Sequence, residues 1–319
     1  MTHMGTDLNF ALQQLGPALA TVMHLLSFFG SEDFFLLLVP FIFWCVDSSF
    51  GARLLFLIAI SDFVNGLLKW IFHAPRPYWA DARTKPLESE ISYGIPSGHT
   101  QSATVGWGYL ALHVKRWWMW LLAALVIFSV ALARVMLGMH YLGDVIGGLI
   151  VGLIVLTAYT LLEPRVTRWI APKPIGLQIT AAFIASMLML ATMLIVRSAI
   201  SGIADPIEWA SLSAQAGVPN APRSLDTQVT DAAIIFGAGL GLALLKRSGG
   251  FNPGGPWSKR LLRLALGLIV LVILRFGLGA LFPREPELPG AIFRYVRYVI
   301  MVLWATWLAP WVFVKLRLA

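Results

Sequence analysis

Two residues four positions apart, His140 and Asp144, carry the first chemical signal in this chain. If a helix begins near His140, both side chains fall on one face, so the carboxylate can hold one imidazole nitrogen while the other faces a substrate. A neutral histidine held in one tautomer is a competent nucleophile toward phosphorus. The carboxylate also favours the cationic phosphohistidine that such an attack produces. The competing reading is a polar pair at a membrane interface, but an aspartate in an apolar, glycine-rich stretch needs a partner, and His140 is the natural one.

Two further groups extend this chemistry. Pro96-Ser97-Gly98-His99 stands at the start of an apolar run, where exposed backbone N–H groups and the Ser97 hydroxyl can meet an anion. His99 could protonate a departing alkoxide there and later help activate the water that cleaves a phosphoenzyme. Read alone, the tetrapeptide is equally a loop followed by a helix cap. Lys69 and Arg76 are seven apart, two helical turns if the helix persists that far, with Pro75 and Pro77 marking its end. Arg76 offers a planar donor fork, Lys69 a compact cation and Arg134 a third positive charge. The set complements phosphoryl oxygens whose charge grows in the transition state. Snorkelling accounts for one such cation at an interface; three beside two histidines point to phosphate-ester hydrolysis.

The elements that must position these residues are membrane helices. Of 319 residues, 58% are apolar and 13% charged, too little polar surface for a soluble domain of this size. Apolar runs at 12–29, 32–46, 54–72, 100–114, 118–133, 142–161, 175–196, 230–245, 261–282 and 294–314 approach the ~20 residues that cross a bilayer. They predict ten spans in an all-α integral membrane protein, although the first run, broken by Pro17, also fits an interfacial segment. The first residues lack a basic stretch and a small-residue cleavage site, so no cleaved signal peptide is expected. The single cysteine, Cys45, excludes an intrachain disulfide and a cysteine metal cluster. The net charge of +8 forms no basic stripe on a soluble module, so nucleic acid is not an expected partner.

The charge is sorted by side of the membrane instead. Ten spans place Lys115, Arg116, Arg165, Arg168, Lys173, Lys246, Arg247, Lys259, Arg260, Lys315 and Arg317 on one face, which the positive-inside rule makes cytoplasmic. Segments 73–97, 134–140, 197–229 and 283–293 fall on the other face, where Asp81, Glu88, Glu90, Asp205, Glu208, Asp226, Glu285 and Glu287 dilute the basic residues. The expectation is a multi-pass protein of an inner or plasma membrane, with cytoplasmic termini and all three chemical groups extracytoplasmic. Residues 1–163 hold six spans and every group. Pro164, Pro172 and Pro174 punctuate a basic connector, and 164–319 form a four-span extension whose Gly237-Ala238-Gly239-Leu240-Gly241 and Gly277-Leu278-Gly279 stretches suit close helix packing.

The combined pattern Lys69-x6-Arg76-Pro77, Pro96-Ser97-Gly98-His99 and Arg134-x5-His140-x3-Asp144 resembles the signature of the type 2 phosphatidic acid phosphatase (PAP2) superfamily. That superfamily also includes bacterial acid phosphatases and vanadium haloperoxidases. The resemblance covers roughly residues 30–155 and implies a six-helix PAP2-like core, to which the four-span extension is added. It also implies that His140 is the nucleophile, that Asp144 orients it and that His99 is the general acid. Lys69, Arg76, Ser97, Gly98 and Arg134 would bind phosphate, with no metal or other cofactor required. One departure stands out: the family usually has serine before the third-group arginine, whereas this chain has Ala133. The stretches Gly30-Ser31-Glu32-Asp33-Phe34 and Phe43-Trp44-Cys45 look more like the sphingosine-1-phosphate phosphatase branch than the shorter bacterial diphosphate phosphatases.

These readings make the chain a metal-independent phosphatase acting on a lipid phosphate monoester or diphosphate, whose headgroup enters from the outer interface while its chains stay in the apolar layer. Phosphotransfer to another lipid or glycan through the same intermediate is the alternative within enzymology; a noncatalytic lipid-binding or transport protein is the alternative outside it. Tyr78, Trp79, Tyr93, Trp107 and Tyr141 border the lipid entrance or belong to an aromatic belt. His73 either adds a polar contact near the cradle or sits at the interface, and Arg275 lies within the ninth span. Expected partners are the lipid phosphate substrate, membrane lipids and, through the extension, a second copy of the chain.

Overall fold

The computed structural model describes residues 5–218, 220–282 and 288–319. Glu285 and Glu287, used above for the charge asymmetry, lie outside the described residues. The described residues form helices joined by loops: α1 Asp7–Gln13, α2 Pro17–Phe28, α3 Glu32–Cys45, α4 Ser48–Phe72, α5 Pro77–Ala80, α6 Gly98–Val114 and α7 Trp117–Met136. There follow α8 Leu142–Ile170, α9 Ile175–Ala199, α10 Ile207–Gln215, α11 Asp226–Arg247, α12 Trp257–Leu281 and α13 Leu288–Leu303, the last running through a π-helical turn at Trp304–Leu308 into α14 Ala309–Lys315.

Local chemistry sets the helix ends near the chemical groups. His73, at φ 52°, takes the left-handed conformation just past α4, and the chain then runs extended through Arg76, held so by the proline after it, until Pro77 opens α5. Lys69 and Arg76 therefore do not share one continuous helix, as two helical turns would require. Ser97 is the N-cap of α6 and accepts from Thr100, while Lys115 closes that helix in the left-handed conformation. Pro164 does not punctuate a connector; it sits inside α8, which continues to Ile170. A proline removes one ladder hydrogen bond, and helices within a membrane tolerate the loss.

Each of the ten apolar runs contains a helix. Among the described residues, seven helices are long and apolar enough to cross a bilayer, and an eighth is counted if Pro17–Phe28 and Glu32–Cys45, bent by 42°, form one broken span. The chain is thus a multi-pass, all-α membrane protein. The first two expected spans are this bent pair, and the fourth, α6, has 17 residues.

The helices pack into two compact units. One comprises Met1–Phe34, Val64–Tyr159 and Met193–Ser224; the other comprises Phe35–Phe63, Thr160–Thr192 and Leu225–Ala319. In the first, α8 lies tightly on the start of α6: a Cβ on Gly148 would come within 2.5 Å of the Ser97 carbonyl, and one on Gly152 within 2.7 Å of Thr104. In the second, Trp44 is fully buried, packs edge-on against Phe313 at 5.7 Å and donates to the Ala305 carbonyl at 2.8 Å. Gly241 gives α11 a close approach there, since a Cβ would fall 2.0 Å from the Thr306 hydroxyl. Gly277 instead faces open space.

Candidate active site

All eight residues singled out for chemistry lie in the first unit. Arg134 occupies the last turn of α7, and its carbonyl accepts from the amides of Met139 and His140 at 3.1 and 3.2 Å. The turn so closed places His140 just before α8. Nδ1 of His140 is 3.3 Å from Asp144 Oδ2, and the same carboxylate oxygen accepts from the Tyr141 amide at 3.0 Å. Nε2 of His140 is 3.3 Å from Arg76 Nη1. A guanidinium only donates, so Nε2 must accept, and the ring proton then belongs on Nδ1, facing Asp144. The lone pair of Nε2 therefore points toward the guanidinium that is proposed to hold phosphate.

The three cations converge on this imidazole but differ in their partners. Lys69, buried near the end of α4, donates to the Ser92 hydroxyl at 2.8 Å. Arg76 is wholly buried and donates from Nε to the Ser92 carbonyl at 2.6 Å and from Nη1 to the Met139 carbonyl at 3.0 Å. Its Nη2 faces the Ser92 hydroxyl at 3.1 Å, the Tyr93 carbonyl at 3.3 Å and Glu90 Oε2 at 3.3 Å. Arg134, equally buried, donates to the Ser27 hydroxyl at 3.0 Å, to Glu88, and through Nη2 to Glu90 Oε1 at 3.1 Å. Its Nε is buried and, among the described residues, lacks a hydrogen-bond partner.

The second histidine enters from α6. Ser97 anchors the segment, its amide donating to the Asp144 carbonyl at 2.9 Å, and Asn65 supports it by donating to the Pro96 carbonyl at 3.2 Å. His99 Nδ1 lies 3.7 Å from Glu90 Oε1. Gly98 has its Cα facing Asn65, where a Cβ would stand 3.3 Å from the amide oxygen. Ala133, the departure from the family pattern, is fully buried.

Electrostatics follows from this crowding. Burial pushes the His140 imidazole well below its usual pKa, and the neighbouring charges of Arg76, Arg134 and Lys69 push in the same direction. The ring is thus neutral over the ordinary working range, as a nucleophile must be. For Glu90, burial works to raise the carboxyl, but Arg76, Arg134 and Lys69 outweigh it and hold it below the usual carboxylate range. Among the described residues, no group of three or more His, Cys, Asp or Glu side chains is arranged to hold a metal ion.

Several functional neighbours escaped the sequence reading. Glu88 and Glu90 had counted only as loop charges, and Ser92 carried no signal at all. Asn9, on α1, is fully buried and donates to the carbonyls of Val135 and His140 at 2.7 and 2.9 Å, bracing the His140 turn. Tyr78, Trp79 and Tyr93 form neither an entrance nor an exposed belt, since all three are buried. His73 lies in a separate polar knot: Tyr93 Oη is 2.7 Å from His73 Nε2 and donates to Asp205 at 2.8 Å. Arg223 donates to Tyr93 Oη at 3.1 Å and reaches His73 Nε2 at 2.8 Å.

Comparison with known proteins bears on the same stretches. Residues 50–168 match the family model described as the PAP2 superfamily, and 229–319 match one described as PAP2 superfamily phosphatase, transmembrane extension. The chain is 29% identical over 163 residues to lipid phosphate phosphatase delta of Arabidopsis thaliana, covering 46% of this chain and 39% of that protein. It is 26% identical over 180 residues to glucose-6-phosphatase 2 of Homo sapiens, covering 46% and 50%. With sphingosine-1-phosphate phosphatase 2 of Homo sapiens it shares 31% over 146 residues, covering 42% and 36%. The chain thus spans half or less of the length of these relatives. A transmembrane PAP2 type phosphatidylglycerolphosphate phosphatase from Bacillus subtilis has a solved structure that aligns at 23% identity and a TM-score of 0.41, over 52% of this chain and 90% of that one.

Proposed function

The chain belongs to the PAP2 superfamily and carries that superfamily's transmembrane extension, and from this premise we propose that it is a membrane phosphatase hydrolysing a lipid phosphate monoester or diphosphate through a phosphohistidine. The observation that carries the proposal is the His140 imidazole held between Asp144 and Arg76, with Lys69 and Arg134 closing a cationic cradle around it. His140 Nε2 attacks phosphorus while the equatorial oxygens rest on Lys69, Arg76, Arg134 and the start of α6, where Ser97 and Gly98 lie. The phosphorus–oxygen bond to the lipid breaks, and His99, which must take up a proton before this step, gives it as the imidazolium to the departing oxygen. Neutral His99 then takes a proton from water. The resulting hydroxide attacks phosphorus, the nitrogen–phosphorus bond breaks, and inorganic phosphate leaves with His140 restored. Asp144 stays ionised throughout and stabilises the cationic intermediate. Every step is carried by side chains of this chain.

Lipid phosphates are favoured because this chemistry is set among membrane helices and because relatives named for lipid phosphate and sphingosine-1-phosphate hydrolysis match this region; sphingoid phosphates are accordingly part of the assignment. The glucose-6-phosphatase match supports a second reading, a soluble sugar phosphate bound at the same cradle. The charge asymmetry supports an extracytoplasmic site and a cytoplasmic C-terminus; α1, whose Asn9 holds the His140 turn, belongs with the site rather than on the cytoplasmic face expected for the N-terminus. We assign catalysis to the 1–163 region and leave 164–319 as its extension.

The deciding experiment is release of inorganic phosphate by purified wild-type and His140→Ala protein. The panel comprises phosphatidate, lysophosphatidate, sphingosine phosphate, ceramide phosphate, isoprenyl diphosphates and glucose 6-phosphate. Release from lipids by wild type alone is expected. Release from glucose 6-phosphate alone favours the second reading; transfer of phosphate to an added lipid acceptor in place of release favours phosphotransfer. Near-wild-type turnover by His140→Ala eliminates the proposed nucleophile.

A further inference from the structure

The cradle is already occupied by an anion of the protein's own. An arginine has five N–H donors. Those of Arg76 are committed to the Ser92 carbonyl, the Met139 carbonyl, His140 Nε2, and an Nη2 group shared among Ser92, Tyr93 and Glu90. Arg134 spends Nη1 on Ser27 and Glu88 and Nη2 on Glu90. One carboxylate thus chelates both guanidinium groups, Oε2 on Arg76 and Oε1 on Arg134, with Oε1 also 3.7 Å from His99. A phosphoryl group that reached both arginines while facing His140 and His99 would need the volume and the donors that Glu90 holds.

We propose that Glu90 is the resident anion of this cradle, that a substrate phosphate binds by exchanging with it, and that this exchange selects dianionic phosphate monoesters and diphosphates over phosphodiesters. The proposal rests on the phosphatase reading above and adds a specificity-determining residue to it. The charge argument is direct. A carboxylate carries one negative charge and so does a phosphodiester, so a diester gains little over Glu90 on the two arginines. A monoester near neutral pH carries close to two charges and three terminal oxygens and competes successfully. Most lipids of a bilayer are phosphodiesters, in vast excess over any monoester, and an empty cradle of three cations would be filled by them.

The exchange is also sterically open in one direction only. The two arginines have no exposed surface, whereas the Glu90 side chain is 25% exposed and belongs to the loop between α5 and α6. It can withdraw into water, while the guanidinium groups stay where the helices hold them. Its carboxyl, held in the ionised form by those cations, leaves as an anion when phosphate arrives. The same carboxylate, returning after hydrolysis, competes with inorganic phosphate and speeds its departure.

The test reads anion binding directly, without turnover, in buffer alkaline enough to make orthovanadate a dianion, with dimethyl phosphate as the diester probe. Calorimetric titrations are run on the full-length wild-type, Glu90→Gln and Glu90→Asp proteins, with Arg134→Ala as the control for binding at the cradle. Aspartate keeps the negative charge in the loop but falls one methylene short of chelating both arginines. Exchange therefore predicts that both Glu90 variants bind vanadate about 10-fold more tightly than wild type and gain measurable binding of dimethyl phosphate, which wild type rejects. If Glu90→Asp matches wild type while Glu90→Gln binds more tightly, a general charge effect replaces exchange and the proposal is overturned. Unchanged vanadate binding in both folded variants overturns it as well. If wild type binds vanadate through Arg134 but releases no phosphate from any ester, the phosphatase reading fails while the exchange is judged on the titrations alone. Absence of vanadate binding in wild type sinks the cradle and the exchange together.

Discussion

Two regions of this molecule bury arginine completely and use it in opposite ways. In one unit, Arg76 and Arg134 have no exposed surface; beyond the carbonyls of Ser92, Met139 and Tyr93 that anchor Arg76, they direct donors at a histidine and at the partly exposed carboxylates Glu88 and Glu90. In the other, Arg263 is just as buried and donates to the carbonyls of Asn252, Pro253 and Gly254 at 3.1, 2.7 and 2.8 Å. The carbonyls are fixed parts of the chain and cannot leave; the carboxylates can. Burial of a cation is therefore not by itself a mark of a functional site. What distinguishes a site is that the cation's partners can be exchanged for a ligand.

The comparison predicts a crossed pattern of losses. Arg134→Ala is expected to lower kcat/KM for the best lipid phosphate by about 10²–10³-fold or more, the usual cost of removing one transition-state donor. Its thermal unfolding should change little, because Glu88 and Glu90 can turn into water. Arg263→Met is expected to keep turnover within a factor of a few and to lose about 1–3 kcal/mol of stability, the cost of stranding backbone acceptors. Steady-state kinetics and thermal unfolding on both variants check the pair. Equal loss of rate in both would break the distinction.

Next in size is an effect on pH dependence. The His140 pKa is lowered by burial first and then by Arg76, Arg134 and Lys69, so its neutral form persists at pH values where a solvated histidine is already protonated. The sign is fixed: a lowered pKa places the acid limb of kcat/KM for this group at lower pH than a solvated histidine would. Removing one of the cations relaxes the depression. Lys69→Met should therefore move that limb toward higher pH while lowering the plateau, a shift that Arg263→Met should not produce. An acid limb that Lys69→Met leaves where it stands in wild type would contradict a nucleophile buried among cations.

The same contrast explains what could be read from sequence. His140 and Asp144 were legible because one short segment fixes their separation, and the Pro-Ser-Gly-His turn because a cap motif is local. The membrane helices were legible because apolar composition is a property of each segment alone. The path from Lys69 to Arg76 was misread: a helix continuing two turns meets two prolines and the left-handed His73, and the chain extends instead. Glu90, Ser92 and Asn9 could not be found this way. Each acts through a partner distant in the chain, such as the 131-residue separation between Asn9 and His140, and an acidic or hydroxyl residue in a loop looks like ordinary solvated surface. Arg263 is separated from Arg134 in sequence by lacking the histidine and aspartate that follow Arg134 at fixed spacing, but nothing in its segment marks it as buried.

A pair of glycines sharpens the regional difference at smaller magnitude. A Cβ on Gly148 would strike the Ser97 carbonyl at 2.5 Å, and one on Gly267 would strike the Trp44 ring at 2.3 Å. Both clashes force a neighbour to shift, at about 1–3 kcal/mol. Gly148→Ala displaces the segment that presents His99, so a roughly 10-fold fall in kcat is expected, since each 1.4 kcal/mol on a barrier is tenfold. Gly267→Ala displaces only packing and is expected to lower the unfolding temperature while kcat holds. Comparing kcat with unfolding temperature in the two variants tests whether the first unit alone transmits strain to chemistry.

The smallest predicted effect concerns a third kind of arginine. Arg223 is partly exposed and, with Asp205, holds Tyr93 and His73 in a polar knot. Both residues fall between the two segments that match the family models. Tyr93 follows Ser92 directly, and its carbonyl accepts from Arg76, so the knot touches the cradle only through the backbone. Asp205→Asn keeps the side chain's size and removes its charge beside His73 at 2.9 Å. We expect kcat/KM to fall about 3–5-fold, roughly the worth of one hydrogen bond, with the change in kcat rather than in KM because Arg76 would be misaimed in the transition state. A loss as large as that of Arg134→Ala would mean that Asp205 meets the substrate itself. An unchanged rate would place Arg223 with Arg263, among arginines that hold the chain together and nothing else.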